Sequence, residues 1–279
     1  MTISRHDAAE LLSRHGLAPR RALGQNFVVD ANTVRRIARL AEVGPSDAVV
    51  EIGAGLGSLT RALLETGAAV TAIEVDRGLV GVLRAELEPL GARIVEGDAL
   101  HLDWSEVLGD RTGWMLVANL PYNIATPLVA DLLDGVPAIE RMLVMVQREV
   151  GERLAASAGS DAYGAVSVKV AYWAEAKVVG RVPPSVFLPK PKVDSALVAI
   201  RRRSTPAVDP ALVSPEQLFR LVRAGFGQRR KMLRGSLAGL ASPEAFAAAG
   251  VRPEARAEEL DVAAWGALAA AAVADATAD

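Results

Sequence analysis

The sequence predicts an α/β protein: a mostly parallel sheet of seven strands with an antiparallel edge, followed by a small all-helical C-terminal domain. Three observations carry this. Through the first two-thirds, short apolar runs alternate with segments of helical periodicity, the pattern of βαβ units. Two late apolar runs are joined by the Pro-rich loop "PPSVFLPKPK" and not by a helix, which suits antiparallel pairing at one edge. After a break with three prolines, "RRSTPAVDPALVSP", the chain is Ala- and Leu-rich with helical spacing, interrupted by Pro243 and Pro253.

The elements follow in order. Residues 1 to about 22 read as an N-terminal helical arm. Asp30 caps a helix through "ANTVRRIARLAEV", whose apolar residues Val34, Ile37, Ala38 and Ala41 share one face. "AVVEIG" is a buried strand that leads through a Gly-rich turn into the helix "LTRALLETG". "AVTAIEVD" is the next strand and "GLVGVLRAELEPLG" the next helix. "RIVEGDAL", "WMLVANLP" and "ERMLVMVQ" are three more strands, with the helix "IATPLVADLLDG" between the last two. "SVKVAYWAEAKVVGRV" and "SALVAIRRR" are the late strands. The domain boundary falls near Thr205, giving domains over residues 1–205 and 206–279.

Composition narrows the function classes. Of 279 residues, 51% are hydrophobic and 23% charged, which fits a globular chain and excludes disorder. Cys is absent, so there is neither a disulfide scaffold nor a thiolate metal site. His6, His15 and His101 are widely scattered, and no metal is expected. "MTISRHDAAELLSRHG" lacks the apolar core of a signal peptide, and no apolar run reaches the length of a membrane span. A soluble, cytoplasmic protein is expected. The formal net charge is −2, yet Arg181 to Arg234 holds twelve Arg and Lys against three Asp and Glu. Such clustering attracts polyanions; a solvated Arg-rich surface would read the same.

Four motifs carry chemistry. In "VVEIGAGLGSLT", Gly53, Gly55 and Gly57 follow a strand and open a helix, where the backbone can approach a ligand closely. A tight strand–helix turn explains them equally well. Ser58 stands where the dinucleotide fingerprint needs its last Gly. Glu74 ends the second strand, where doubly wound folds place the carboxylate that holds ribose hydroxyls. Asp98 ends the third and could accept from an adenine amine; both acids could instead cap helices. "NLPY" ends the fourth strand and resembles the N/D-[LIP]-P-[YF] motif of enzymes that methylate exocyclic nucleobase amines. A side-chain carbonyl on Asn119 and the backbone carbonyl of Leu120 can accept both protons of a nucleobase amine and aim its lone pair. Positioning then does most of the catalysis. Pro121 stiffens the turn and Tyr122 gives an extruded base a flat face; Asn-x-Pro is also an ordinary turn signal. Finally, Phe187 beside Lys190 and Lys192 could stack on a base or anchor its loop. Arg229, Arg230, Lys231 and Arg234 on one helix could meet phosphates or water.

The glycine pattern resembles motif I of the class I S-adenosylmethionine-dependent methyltransferases, whose fold is Rossmann-like. "LGQNFVVD", "EIGAGLGSLT", "AIEVD", "EGDAL", "NLPYNIATP", "FLPKPKVDS" and "FGQRRKMLR" occur in the order of the small-subunit ribosomal RNA adenine dimethyltransferase family (KsgA/RsmA type), from about Leu23 to Arg234. The resemblance implies dimethylation at N6 of two adjacent adenosines in a hairpin near the 3′ end of 16S rRNA. It implies a nearly assembled small (30S) ribosomal subunit as substrate, a role in its late assembly, and contact of the domain over residues 206–279 with RNA or the ribosome. It also implies that Asn26, Val28, Gly53, Glu74, Asp98 and Asn119 touch S-adenosylmethionine, with Asn119, Leu120, Pro121 and Tyr122 forming the target site. Val28 stands where many members have Leu, which matters little if a backbone atom makes the contact. A monomer is expected. The rival readings are a 23S rRNA adenine methyltransferase of the macrolide-resistance type and an RNA-binding assembly factor in which methylation is secondary.

Overall fold

The apolar runs at the centre of the sheet become strands buried on both faces, as a sheet covered by helices requires. The computed structural model describes residues 3–276. In chain order the elements are α1 (Arg5–Arg14), β1 (Phe27–Val28), α2 (Ala31–Ala41), β2 (Ala48–Ile52), α3 (Ser58–Leu64), β3 (Ala69–Glu74) and α4 (Arg77–Leu87). Then follow β4 (Arg93–Glu96), α5 (Trp104–Leu108), β5 (Trp114–Asn119), α6 (Ala125–Gly135), β6 (Ile139–Gln147) and α7 (Arg148–Leu154). The remainder comprises α8 (Ala165–Trp173), β7 (Ala174–Val182), β8 (Phe187–Leu188), β9 (Ser195–Arg202), α9 (Pro215–Gly227), α10 (Leu233–Ser236), α11 (Pro243–Ala248) and α12 (Val262–Ala276).

Seven strands form one sheet in the order β4-β3-β2-β5-β6-β9-β7. The pairs from β4 to β6 are parallel, and β9 runs antiparallel to β6. Strand order reverses between β2 and β5, so a crevice opens beyond the carboxyl ends of β2, β3 and β5, where such sheets bind ligands. Asp30 caps α2 by accepting from the Thr33 amide at 2.6 Å. That helix buries Val34, Ile37, Ala38 and Ala41 against Val49, Val70, Val117 and Leu143 of the sheet. Each buried Val or Ile there contributes about 1.5–3 kcal/mol.

Two expectations need correction. Ser167–Trp173, expected as strand from its β-branched residues, lies in helix α8. Ser167 Oγ accepts from the Gly164 amide at 3.0 Å, and Val168 and Tyr172, one turn apart, enter a helical core. Tertiary packing overrides the propensity. The Pro-rich loop also holds a second small sheet, in which β8 pairs antiparallel with β1, Val28 opposite Phe187.

The chain divides into two units. One comprises residues up to Gly151 with Lys177–Arg201 and carries most of the sheet. The other comprises Glu152–Ala176 and everything from Arg202 onward. Its core gathers Tyr163, Val168 and Tyr172 with Leu218, Leu221, Phe246 and Trp265, so a segment that the sequence places in the first domain belongs with the helices.

Candidate active site

The crevice is lined by Asn26, Val28, Gly53, Gly55, Glu74, Asp98, Asn119, Leu120, Pro121 and Tyr122, among others. All the residues expected at the cofactor and the target therefore meet in one place. Gly53 and Gly55 carry φ of +73° and +60°, a region that side chains disfavour. A Cβ on Gly55 would stand 2.8 Å from the Phe27 ring, and one on Gly53 3.7 Å from Pro121. At Gly55 the Phe27 ring leaves no room for a side chain; at Gly53 the backbone conformation, not space, favours glycine.

Glu74 is 5% exposed and braces that turn. Its Oε2 accepts from the Gly55 amide at 2.8 Å, and its Oε1 from the Val75 and Asp76 amides, each at 3.0 Å. A carboxylate offers about four acceptor positions, so about one is left for a ligand hydroxyl, not the two the sequence suggested. Burial raises its pKa, against the pull of those three amides. Asp98 accepts from the Leu100 amide at 3.0 Å and faces His101 Nδ1 at 3.1 Å. It thus closes its own turn and still lines the crevice.

Behind the glycines lies Glu51, 2% exposed, whose Oε2 has no hydrogen-bond partner among the described residues. Burial pushes its pKa from the usual 4.5 up to about 8; Thr60 moderates the rise and the charge of Glu74 adds to it. A carboxyl raised on folding keeps its proton in the folded state after the unfolded chain has lost it. Stability therefore falls as pH climbs from about 4.5 to about 8, by at most about 1.4 kcal/mol per pH unit, and levels off above. Glu51→Gln removes this dependence. Thermal melts of both proteins should show the variant gaining on the wild type between pH 5 and 8; parallel melting curves across that range would contradict it.

The end of β5 is held from two sides. Asn119 Nδ2 donates to the Asn26 carbonyl at 2.8 Å. A backbone carbonyl only accepts, so the nitrogen must face it and Oδ1 points the other way. No described residue donates to that Oδ1. The Leu120 amide donates to the Met145 carbonyl at 3.0 Å, which fixes the adjoining peptide. The Tyr122 hydroxyl bonds Ser195 Oγ at 2.7 Å. Burial raises the phenol's pKa and that bond moderates it, so the ring stays neutral. The arrangement presents a fixed acceptor, a neighbouring carbonyl and an anchored aromatic ring to a planar amine.

Other expected residues lie elsewhere. Phe187 is fully buried, with its backbone paired to Val28, so the ring anchors its loop and offers no face to a base. Lys190 and Lys192 lie on the outer surface of that loop, both exposed. Arg229, Arg230 and Lys231 occupy a turn after α9, not a helix, and Arg234 sits in the four-residue α10. The helix stops because Gly227 and Gln228 lead into bonds of a tight turn, Lys231 to the Gln228 carbonyl. Arg229 Nε pairs with Glu258 at 2.6 Å and Arg234 with Glu254 at 3.2 Å. Arg230 and Lys231 are exposed without an ion-pair partner among the described residues. The sequence reading missed Gln25 and Phe27, which line the crevice, and Asp76 and Ser195, which brace it from outside. Their only signal was that they lie within the stretches "LGQNFVVD", "AIEVD" and "FLPKPKVDS".

A family profile described as ribosomal RNA adenine dimethylase matches residues 16–272. A protein of Streptomyces coelicolor named ribosomal RNA small subunit methyltransferase A is 49% identical over 267 residues, covering 92% of each chain. One of the same name from Cutibacterium acnes is 50% identical over 260 residues, covering 88% of this chain and 86% of its own. Among solved structures, the 23S rRNA methyltransferase ErmE superposes with a TM-score of 0.69 at 28% identity, covering 87% of this chain and 98% of its own. A dimethyladenosine transferase from Plasmodium falciparum gives 0.70 at 24% identity, over 86% and 94%, and shows the shared fold.

Proposed function

The chain belongs to the ribosomal RNA adenine dimethylase family, and from that premise we propose how its residues divide the work and in what particle they meet the RNA. The protein is an adenine N6-dimethyltransferase of small-subunit (16S) ribosomal RNA that uses S-adenosylmethionine. The crevice fits that cofactor: the glycine turn leaves space beside Glu74 and Asp98, two acids that suit a cationic nucleoside. Asn26, Val28, Gly53, Glu74, Asp98 and Asn119 would hold it. When bound, it supplies an electrophilic methyl group on a sulfonium.

The chain's own part is to aim the amine. The Asn119 Oδ1 and the Leu120 carbonyl accept the two N6 protons, which favours the pyramidal amine and turns its lone pair outward. Pro121 keeps the loop rigid and Tyr122 stacks on the flipped base. The amine sheds its proton to water after transfer, so no strong base is required. The observation that carries this reading is the fixed Asn119 amide, its nitrogen on Asn26 and its oxygen left for a ligand.

The RNA is met in the nearly assembled 30S subunit, in the cytoplasm, by a monomer whose helical unit contacts RNA backbone. Among the described residues no helix is long and apolar enough to cross a membrane. Exposed Arg230 and Lys231 are the phosphate contacts this reading favours, with Lys190 and Lys192; Arg229 and Arg234 are engaged with acids. Replacing Arg230 and Lys231 by Ala should flatten the salt dependence of subunit binding by about 0.7–0.9 log units per log unit of salt for each phosphate no longer neutralised. An unchanged slope would put the phosphate-binding residues elsewhere.

The test of function is incubation of the protein and labelled cofactor with unmethylated small subunits or with large subunits, followed by nucleoside analysis. N6,N6-dimethyladenosine in 16S rRNA is expected. Label confined to 23S rRNA would favour the activity named for ErmE, and no label in either would leave an RNA-binding assembly factor.

A further inference from the structure

Residues 20–28 form a strap that runs between the glycine turn and the target loop. Phe27 fills the space above Gly55. Gly24 lies so close to the target loop that a Cβ there would stand 3.0 Å from Asn123 Oδ1 and 3.1 Å from the Pro121 Cβ. The carbonyl that fixes the Asn119 amide belongs to Asn26, whose own Nδ2 donates to the Gly24 carbonyl at 3.0 Å.

Ahead of Asn26 the strap is tied to the start of α4 at one residue. Asp76 is 4% exposed and does not line the crevice. Its Oδ1 accepts from the Gly78 amide at 3.0 Å and so caps α4. Its Oδ2 accepts from Gln25 Nε2 at 3.1 Å, with Arg20 Nε at 3.4 Å from the same oxygen. Gln25 Oε1 in turn accepts from the Arg20 amide at 2.7 Å. The Gln25 amide is thus clamped at both ends, one residue before Asn26. A hydrogen bond with a charged acceptor is among the stronger kinds, and this one is partly buried.

We propose that Asp76, acting through Gln25, is a positioning residue for methyl transfer: it latches the strap whose Asn26 carbonyl holds the Asn119 amide in the orientation that leaves Oδ1 for the target amine. The inference rests on the role given to Asn119 above. Its consequence is that a carboxylate outside the crevice lining sets the aim of the catalytic amide. A misplacement of about 1 Å at a reacting centre costs as much as about 100-fold in rate.

The test reverses the polarity of the latch. In Asp76→Asn the remaining oxygen can still cap α4, but an NH2 then faces Gln25 Nε2, donor against donor. In Gln25→Glu two carboxylates face each other. In the double variant Asp76→Asn/Gln25→Glu, the new amide donates to the new carboxylate, whose other oxygen still accepts from the Arg20 amide. Each single variant should lower kcat on small subunits about 10- to 100-fold, and the double should recover most of it. Loss of a helix cap or general destabilisation would not be rescued in this way.

A second readout is exchange with water of the Asn119 side-chain Nδ2 protons, followed by NMR on the cofactor-free chain. Exchange should be slow in the wild type and the double variant and fast in each single variant. Singles that leave either readout at the wild-type value, or a double no better than the singles, would overturn the proposal. If the wild type failed to methylate small subunits, the proposed function would fall, and the exchange measurement would decide the latch by itself.

Discussion

Asn119→Ala is expected to abolish measurable methylation while the chain still binds small subunits. Removing one preorganised electrostatic contact at a reacting centre costs about 100- to 1,000-fold in kcat. Here the same truncation also releases the strap, because Nδ2 no longer donates to the Asn26 carbonyl. The loss should sit at the upper end of that range. Asn119→Asp sharpens the point. A carboxylate keeps an acceptor for the target amine but would set a second oxygen against the Asn26 carbonyl, so Asp should not restore activity. Filter binding and single-turnover methylation on the same subunits measure both quantities. Binding that fell in step with methylation would show that Asn119 serves assembly of the complex and not the aim of the amine.

The second large effect is expected at Glu74. In Glu74→Gln one oxygen can still serve the Val75 and Asp76 amides, but the new NH2 then faces the Gly55 amide, donor against donor. The turn loses its brace and the cofactor loses a charged acceptor. An unsatisfied buried donor costs about 1–3 kcal/mol and a bond to a charged group is worth about 1.5–3 kcal/mol. Cofactor affinity should therefore fall roughly 100-fold or more. Calorimetric titration with the methyl donor measures it directly. A change below about threefold, under about 1 kcal/mol, would mean that the turn keeps its shape without Glu74 and that the diol is held elsewhere.

The parts of the molecule legible in the sequence are those with local signals. The apolar run ending at Ile52, the three glycines and the acid at Glu74 report a strand, a turn and the next strand end in one short stretch of chain. "NLPY" ends an apolar run in residues that a packed strand does not call for. What escaped is set by pairings across long stretches of chain. Asn119 meets Asn26 across 93 positions and Gln25 meets Asp76 across 51, and nothing near either residue announces its partner. Phe187 looked available because its loop is Pro-rich and basic; its burial follows from pairing with Val28. Arg229 and Arg234 looked like phosphate ligands because acids are scarce around them in sequence. Glu258 and Glu254, 29 and 20 positions later, neutralise them in space. The β-branched run before Trp173 argued for a strand and was overruled by the helical core that Val168 and Tyr172 enter.

The most direct test is a crystal structure of the chain with S-adenosylhomocysteine and a short RNA hairpin carrying the target adenosine. The adenine N6 should lie within hydrogen-bond distance of both the Asn119 Oδ1 and the Leu120 carbonyl, with Tyr122 against the base and Asn119 Nδ2 still on the Asn26 carbonyl. A base bound elsewhere, or an Asn119 amide rotated so that its nitrogen meets the adenine, would contradict the account.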